Sequence, residues 1–134
     1  MAVKNKRFLR IFDVNLNRCR EGLRVIEDSA RFIFDKPSIY KKTRALRHAL
    51  DLATREIYPE LVSGRDSQKD AGRVIKEGGR ESVASVLSAN FRRVQESLRV
   101  LEEYSRLISP GMGRAVKKAR FSAYSLEKKF LEEI

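Results

Sequence analysis

The sequence predicts an all-α protein: a four-helix-bundle-like fold of two pseudo-symmetric helical hairpins joined by a Gly-rich connector. Three observations carry that prediction. Apolar residues step by three and four over long stretches, which is the period of one helix face. The pattern recurs 75 residues further on, polar residues included. The chain has 134 residues, 42% of them hydrophobic. At that length a single helical domain, 1–134, is expected to bury about two-thirds of the surface its unfolded chain exposes.

The first helix is read from Leu16, Cys19, Leu23, Ile26, Ala30 and Ile33, with Phe8, Ile11 and Phe12 ahead of them. Its repeat is Phe91, Val94, Leu98, Leu101, Ser105 and Ile108, with Val83, Val86 and Leu87 ahead. The second helix of each hairpin follows a proline. Pro37 opens a stripe of Tyr40, Thr43, Leu46, Leu50, Ala53 and Ile57, and Pro59 is expected to end that helix after Tyr58. Pro110 matches Pro37, and Arg120 matches Arg47, after a two-residue slip. The matching stripe is Met112, Val116, Ala119, Ala123, Leu126 and Phe130, with Gly111 and Gly113 read as part of the preceding turn. Short turns favour antiparallel neighbours, so four helices should bundle with their stripes inward. The repeat halves are about 6–58 and 82–134. The connector, about 59–81, holds Gly64, Gly72, Gly78 and Gly79. A structureless stretch of that length is uncommon in a compact domain and is often functional; a long crossover loop is the plainer reading.

Several classes are excluded or disfavoured. A (β/α)₈ barrel needs about 250 residues. The longest charge-free stretch in the second half, Ser82 to Phe91, is half of the roughly 20 residues a bilayer span needs. Lys4, Lys6 and Arg7 are followed by no apolar stretch, so no secretory signal is expected. The single Cys19 excludes an internal disulfide and is expected to be a buried small hydrophobe of a reduced, cytoplasmic protein. There is no G-x-x-x-x-G-K-[ST] phosphate loop. Gly78-Gly79-Arg80 and Gly111-x-Gly113-Arg114 are explained first by turn chemistry, and the lone His48 by a structural or solvated role.

The net charge is +11, from 29 Lys and Arg against 18 Asp and Glu, and the two halves carry +6 and +5. Eighteen of the cations are arginine, whose planar fork matches phosphate and carboxylate. A plain solvated surface is one explanation, and a phosphorylated partner the other. Aromatic residues sit mostly at stripe positions, so nucleic-acid binding would rest on net charge alone.

The polar residues repeat as strictly as the apolar ones. Asn15, Arg18, Glu21, Leu23, Arg24, Val25, Glu27 and Arg31 return as Asn90, Arg93, Glu96, Leu98, Arg99, Val100, Glu102 and Arg106. Ion pairs three and four residues apart account for part of this, each stabilising a helix by about 0.2–0.5 kcal/mol. Arg18, Arg24, Arg93 and Arg99, with Asn15 and Asn90 near the same faces, also have the composition of a pre-organised anion site whose forks the carboxylates fix. In the connector, Asp66 and Asp70 suit a magnesium ion carrying substrate phosphates, or equally the capping of a short helix.

The run Asp13-Val-Asn15-Leu-Asn-Arg18-Cys-Arg-Glu21-Gly-Leu23-Arg24-Val-Ile-Glu27-Asp28 resembles a known family. So do Arg65-Asp66-x-x-x-Asp70-x-Gly72 and Ala89-Asn90-Phe91-x-Arg93-x-x-Glu96-x-Leu98-Arg99-x-Leu101-Glu102-Glu103. The family is the small all-helical hydroxymethylpyrimidine phosphate kinase of thiamine biosynthesis, found alone or fused ahead of thiamine phosphate synthase. The resemblance covers nearly the whole chain. It implies ATP-dependent phosphorylation of 4-amino-5-hydroxymethyl-2-methylpyrimidine phosphate to its diphosphate, with magnesium, and rejection of the unphosphorylated alcohol. The synthase barrel is absent here, so a separate thiamine phosphate synthase is an implied partner.

With the duplicated motif and this chemistry, the candidate residues are expected to take the following roles. Arg18 and Arg93 would clamp phosphates. Arg24 and Arg99 would clamp as well, or be held in ion pairs by Glu21, Glu27, Glu96 and Glu102. Asn15 or Asn90 would bond the aminopyrimidine edge, Asp66 and Asp70 would hold magnesium, and Arg65 would close over the phosphates with the connector as a lid. Two alternatives stand beside the kinase: a non-catalytic helical module that docks to the synthase, and a basic nucleic-acid binder. The pseudo-symmetry also admits a site between chains of a homo-oligomer.

Overall fold

The computed structural model describes residues 7–134. Lys4 and Lys6, used in reading the N-terminus, and residue 6 as the start of the first repeat, lie outside the described residues. Among the described residues there is no strand. The helices are α1 (Phe8–Phe32), α2 (Pro37–Thr54), α3 (Tyr58–Ser63), α4 (Val83–Ser105) and α5 (Pro110–Glu133). No helix is long and apolar enough to cross a membrane among the described residues.

Local chemistry sets the helix ends. After α1 the amides of Ile33 and Phe34 donate to Ser29 O, and that of Lys36 to Ala30 O at 2.8 Å. Asp35 turns the chain at φ 51°, a left-handed conformation that Asp tolerates better than bulky residues. Pro37 then occupies the first turn of α2, where a missing N–H costs nothing. Ser82 and Ser85 form a reciprocal capping box at the start of α4: Ser85 N donates to Ser82 Oγ at 3.1 Å and Ser82 N to Ser85 Oγ at 3.0 Å. Ser109 Oγ accepts from Met112 N at 3.2 Å to cap α5, with Pro110 just inside.

Four boundaries differ from the sequence reading. Helix α2 stops at Thr54 and passes through a 3₁₀ turn, Arg55–Ile57. Pro59 sits in the first turn of the short helix α3, which it opens instead of ending α2. Gly111 and Gly113 belong to the first turn of α5, not to the turn before it. Ile33 lies beyond α1 and is exposed. The connector is also less bare than its composition suggests. Its first part is α3, with Leu61 1% exposed, followed by 3₁₀ turns at Ser67–Lys69 and Ala71–Val74.

The stripes face inward. All six residues of the α5 stripe are buried, as are Leu16, Cys19, Leu23, Ile26 and Ala30 of α1 and Phe91, Val94, Leu98, Leu101 and Ser105 of α4. The inward face of α2 is rotated toward Ile39, Thr43, Leu50 and Thr54, so Tyr40, Leu46, Ala53 and Ile57 are only half-buried. Thr43 and Thr54 satisfy their hydroxyls on the carbonyls four residues back, at 2.8 and 2.9 Å. Phe130 stands edge-on to both Phe91 and Phe34 and closes one end of the core.

α1 packs on α4 and α2, and α5 packs on α4 and α2, so the four long helices form a closed ring. α1 and α4 run antiparallel: Phe8, at the start of one, stacks on Tyr104, near the end of the other. They cross closely. A Cβ on Gly22 would stand 2.8 Å from Val94 Cγ2 and 3.2 Å from Asn90 O. Cys19 and Val94 are repeat mates at this crossing, as are Gly22 and Ser97. The Cys19 thiol lies against the Ser97 hydroxyl, and burial pushes it up to about 12. It stays a neutral thiol, as its stripe position implies.

Each hairpin is braced by the same buried pair. Glu27 of α1 is 2% exposed and accepts from Arg47 of α2 through both oxygens, at 3.1 and 3.2 Å. Glu102 of α4 is 6% exposed and accepts from Arg120 of α5 at 2.7 Å. The repeat mates therefore make equivalent bonds across equivalent helix pairs.

The tight crossing predicts that Gly22→Ala is destabilising. The gain in helix propensity of about 1 kcal/mol is outweighed by overpacking worth about 1–3 kcal/mol. Urea unfolding should show a lower midpoint, and the penalty should shrink when measured in a Val94→Ala background. The buried pairs give a pH signature. Burial pushes Glu102 up, but Arg120 and, behind it, Arg99 and Lys117 more than offset this and hold it below 4.5. A depressed folded-state value stabilises the fold above the unfolded value, and that stability is lost as pH falls through the folded one. Glu102→Gln should therefore cost about 1–3 kcal/mol at neutral pH, with the gap from the parent protein closing in acid.

Candidate functional site

The α1–α4 crossing leaves a cavity of about 580 Å³ on its outer side. Such a volume lies within the range of small-ligand sites, about 300–1,000 Å³. Asn15 and Arg18 line it from α1, Asn90, Arg92, Arg93 and Glu96 from α4, and Arg80 from the end of the connector. The sequence reading thus placed five of these residues, and the fold brings both repeats to one cavity.

The geometry is repeated as well as the residues. Asn15 Nδ2 donates to Ile11 O at 2.9 Å, and Asn90 Nδ2 donates to Val86 O at 2.8 Å. Each amide is thereby held in one orientation, which leaves each a second N–H and leaves Asn90 its carbonyl oxygen. Asn15 Oδ1 accepts from Arg18 Nη1 at 3.5 Å. Asn15 is 5% exposed, so its amide is fixed within the helix packing.

Charge is distributed unevenly over the arginines. Among the described residues, Arg18, Arg80 and Arg92 have no carboxylate partner, and Arg93 meets only the exposed Glu21, at 3.8 Å. Some arginines away from the cavity are neutralised, Arg20 by Asp51 at 3.0 Å, Arg47 by Glu27 and Arg120 by Glu102, while Arg44, Arg55 and Arg114 lie apart from one another in sequence and line no shared site with these four. Four guanidinium groups around one cavity, with Glu96 the one carboxylate lining it, repel one another. An anion placed between them relieves that repulsion and accepts their hydrogen bonds.

Other candidates lie elsewhere. Arg24 bonds Glu27 at 3.3 Å, and Arg99 bonds Glu102 at 3.6 Å and Glu103 at 2.8 Å, so both adopt the ion-pair alternative. Neither lines the cavity. Glu21 reaches it only through Arg93. Arg65 makes a bidentate bond to Asp13, at 2.7 and 2.9 Å, and Asp13 is 4% exposed. The Asp13 carboxylate and the Tyr58 hydroxyl hold Arg65 above its already high range, and Arg65 with Arg20 holds the Tyr58 hydroxyl below its usual value. With Arg10 Nη2 donating to Asp66 O at 3.3 Å, these bonds fasten the start of the connector to α1. Asp66 Oδ1 accepts from Lys69 N at 3.2 Å and Asp70 Oδ1 from Gly72 N at 2.9 Å, so both carboxylates cap 3₁₀ turns. No group of three or more metal-ligating side chains converges among the described residues.

Arg80 and Arg92 were not singled out by the repeat. Arg92 aligns with Asn17, and Arg80 stands in Gly78-Gly79-Arg80, which the sequence reading gave to a turn and the structure shows as irregular chain without one. The available signal was adjacency: Arg92 precedes Arg93 in the motif. Asp13 was quoted within the motif, yet its buried bond to Arg65 spans 52 residues and has no local signature. A second cavity, about 840 Å³, lies between α2 and α5 on the opposite side. It is lined chiefly by alanines, leucines and serines, with Lys42, Lys118 and Lys129, and lacks an arginine cluster.

The ThiD2 family matches residues 10–129. Three relatives are each named thiamine-phosphate synthase. The protein from Nostoc punctiforme is 44% identical over 121 residues, which is 88% of this chain and 34% of the relative. That from Gloeobacter violaceus is 40% identical over 129 residues, 94% of this chain and 37% of the relative. That from Rhodopirellula baltica is 34% identical over 126 residues, 91% of this chain and 34% of the relative. The chain thus spans about a third of the length of the curated relatives it matches. No solved structure gives a significant match.

A polyanion should bind the arginine cavity. Inorganic tripolyphosphate at saturating concentration should raise the melting temperature by about 5 °C at low salt, and added salt should weaken the effect. The shift should vanish in a double variant, Arg18→Gln with Arg92→Gln, and persist in Arg24→Gln, which leaves the cavity intact.

Proposed function

The chain belongs to the ThiD2 family, and we propose that it acts in thiamine biosynthesis as a kinase for 4-amino-5-hydroxymethyl-2-methylpyrimidine phosphate, using ATP. The observation that carries this reading is the convergence of Arg18, Arg80, Arg92 and Arg93, three of them without carboxylate partners, on one cavity flanked by two fixed asparagine amides.

The chemistry of the step agrees with that set of residues. The acceptor is a phosphate monoester whose second pKa is about 6. It is largely a dianion at neutral pH and needs no general base. The barrier lies in bringing two anions together, and phosphoryl transfer is mostly positioning and charge neutralisation. An arginine cluster supplies both, and its lack of a histidine is then no obstacle. Arg18 and Arg93 clamp phosphates, and Asn15 or Asn90 reads an aminopyrimidine edge with its remaining oxygen and N–H. An acceptor without its phosphate would leave guanidinium groups unpaired, which disfavours the free alcohol.

Magnesium enters this reading with the nucleotide. Two carboxylates suit an ion that is delivered on substrate phosphates and keeps several waters. The turn caps occupy Oδ1 of Asp66 and Asp70, so Oδ2 of each would hold the ion. Neither aspartate lines the arginine cavity, so an ion held there would neutralise only phosphate charge that extends from the cavity toward the connector. Arg65 belongs to the scaffold of this site: its bond to Asp13 fastens the connector that carries both aspartates.

That the relatives named thiamine-phosphate synthase carry this region within a longer chain favours a second reading, a non-catalytic helical module that docks to a thiamine phosphate synthase. One assay separates the two. With ATP, magnesium and the hydroxymethylpyrimidine monophosphate, the kinase should turn over the monophosphate and leave the alcohol untouched. Arg93→Ala should lower kcat/KM by about 100-fold or more, with the helical signal and melting temperature nearly unchanged. A folded protein that turns over neither substrate, yet co-purifies with the synthase, would establish the docking module instead.

A further inference from the structure

The proposed reaction joins two ligands that share a chemical signature. The acceptor is an aminopyrimidine bearing one phosphate. The donor's adenine contains an aminopyrimidine ring of its own, and its phosphates are three. The protein shows a matching duplication: Asn15 with Arg18 on α1, and Asn90 with Arg93 on α4, both lining one cavity. The two asparagines are held by equivalent bonds to the carbonyl four residues back.

The two halves of the cavity differ electrostatically: the α4 side has more cations, and also the one carboxylate that lines the cavity, Glu96. Beside Arg93, the α4 side carries Arg92 and, from the connector just ahead of α4, Arg80. Beside Arg18, the α1 side offers no further cation among the described residues that line the cavity. The residue of α1 that aligns with Arg92 is Asn17, whose amide donates to Asp13 Oδ1 at 3.4 Å. Arg80 and Arg92 have no carboxylate partner among the described residues. Their charge is therefore available to a ligand, and it favours the more highly charged of the two.

From this skew, and resting on the kinase reading, we propose that the repeats hold separate substrates in pseudo-symmetric subsites. Asn15 and Arg18 bind the aminopyrimidine monophosphate. Asn90, Arg93, Arg92 and Arg80 bind the nucleoside triphosphate, with Asn90 reading the amino edge of adenine. The phosphate tails meet near the α1–α4 crossing. There an acceptor phosphate oxygen attacks the γ-phosphorus, a new P–O bond forms, and the bond from the γ-phosphorus to the β–γ bridging oxygen breaks. The γ-phosphoryl group passes to the acceptor, and ADP departs with the bridging oxygen. No external proton acceptor is consumed, because the attacking oxygen belongs to a dianion.

The assignment is tested by separate binding measurements on the full chain. Titration calorimetry would use a non-hydrolysable ATP analogue with magnesium, and, independently, the hydroxymethylpyrimidine monophosphate. Arg92→Gln should weaken the nucleotide by about tenfold or more and change the monophosphate by less than about twofold. Arg18→Gln should do the reverse. Both residues are exposed and lack carboxylate partners, and circular dichroism should confirm that each variant keeps the parent's helicity. The corresponding GTP analogue should bind more weakly than the ATP analogue to the parent, with that preference reduced in Asn90→Leu. If both arginine variants weaken both ligands alike, or the pattern is inverted, the two-subsite assignment falls while the kinase reading stands. If the parent protein binds neither ligand, the kinase reading falls and takes this assignment with it.

Discussion

The close antiparallel crossing of α1 and α4 is the contact on which the rest of the molecule depends. It requires that position 22 carry no Cβ, because Val94 and the carbonyl of Asn90 occupy that space. Two pairs of repeat mates lie at the crossing itself, with Cys19 against Ser97 and Gly22 against Val94. Two copies of one helix that cross near equivalent residues place their equivalent side chains around a common point. Asn15, Arg18, Asn90 and Arg93 are one turn or less from the crossing residues of their helices, so the duplication becomes a single cavity and not two distant patches. Wider separation of the helices would leave each repeat with an arginine on an ordinary helix surface.

The repeated polar pattern then divides into two groups with different work. Glu27 with Arg47, and Glu102 with Arg120, fasten each hairpin internally. Breaking one such buried pair strands a charge away from water, which is far more costly than losing a surface pair. Arg24 and Arg99 add outer support to the same carboxylates. Arg18, Arg80, Arg92 and Arg93 are treated differently. Three lack a carboxylate and the fourth has a long, exposed one. A protein of net charge +11 has many cations to dispose of. Gathering these four around one cavity concentrates positive potential where the two repeats meet.

Much of this was legible before any coordinates. Helix periodicity with proline signals placed the four long helices, and the α5 stripe proved buried at every position. The repeat pointed to Asn15, Arg18, Asn90, Arg93 and Glu96, which the cavity gathers. What remained hidden depends on partners distant in the chain. Glu27 reads as a surface residue paired with Arg24 or Arg31 until α2 brings Arg47 against it. Arg65 reads as a mobile loop cation until Asp13, buried on α1, is seen to accept both of its N–H groups. Pro59 ends one helix and begins another with equal ease, because a first-turn position asks for no amide hydrogen. Arg92 breaks the repeat, so a reading built on duplication passes over the asymmetry that separates the two sides of the cavity.

The central claim is that one arginine-lined cavity at the α1–α4 crossing is where this protein meets phosphates. Its most direct test is an NMR titration of the ¹⁵N-labelled protein with inorganic pyrophosphate, following the arginine side-chain Nε–Hε signals. The Nε–Hε signals of Arg18, Arg80, Arg92 and Arg93 should shift together and saturate at one stoichiometric concentration, while those of Arg24, Arg47 and Arg120 stay in place. Shifts confined to the lysine-rimmed face between α2 and α5, or spread evenly over all exposed arginines, would contradict it.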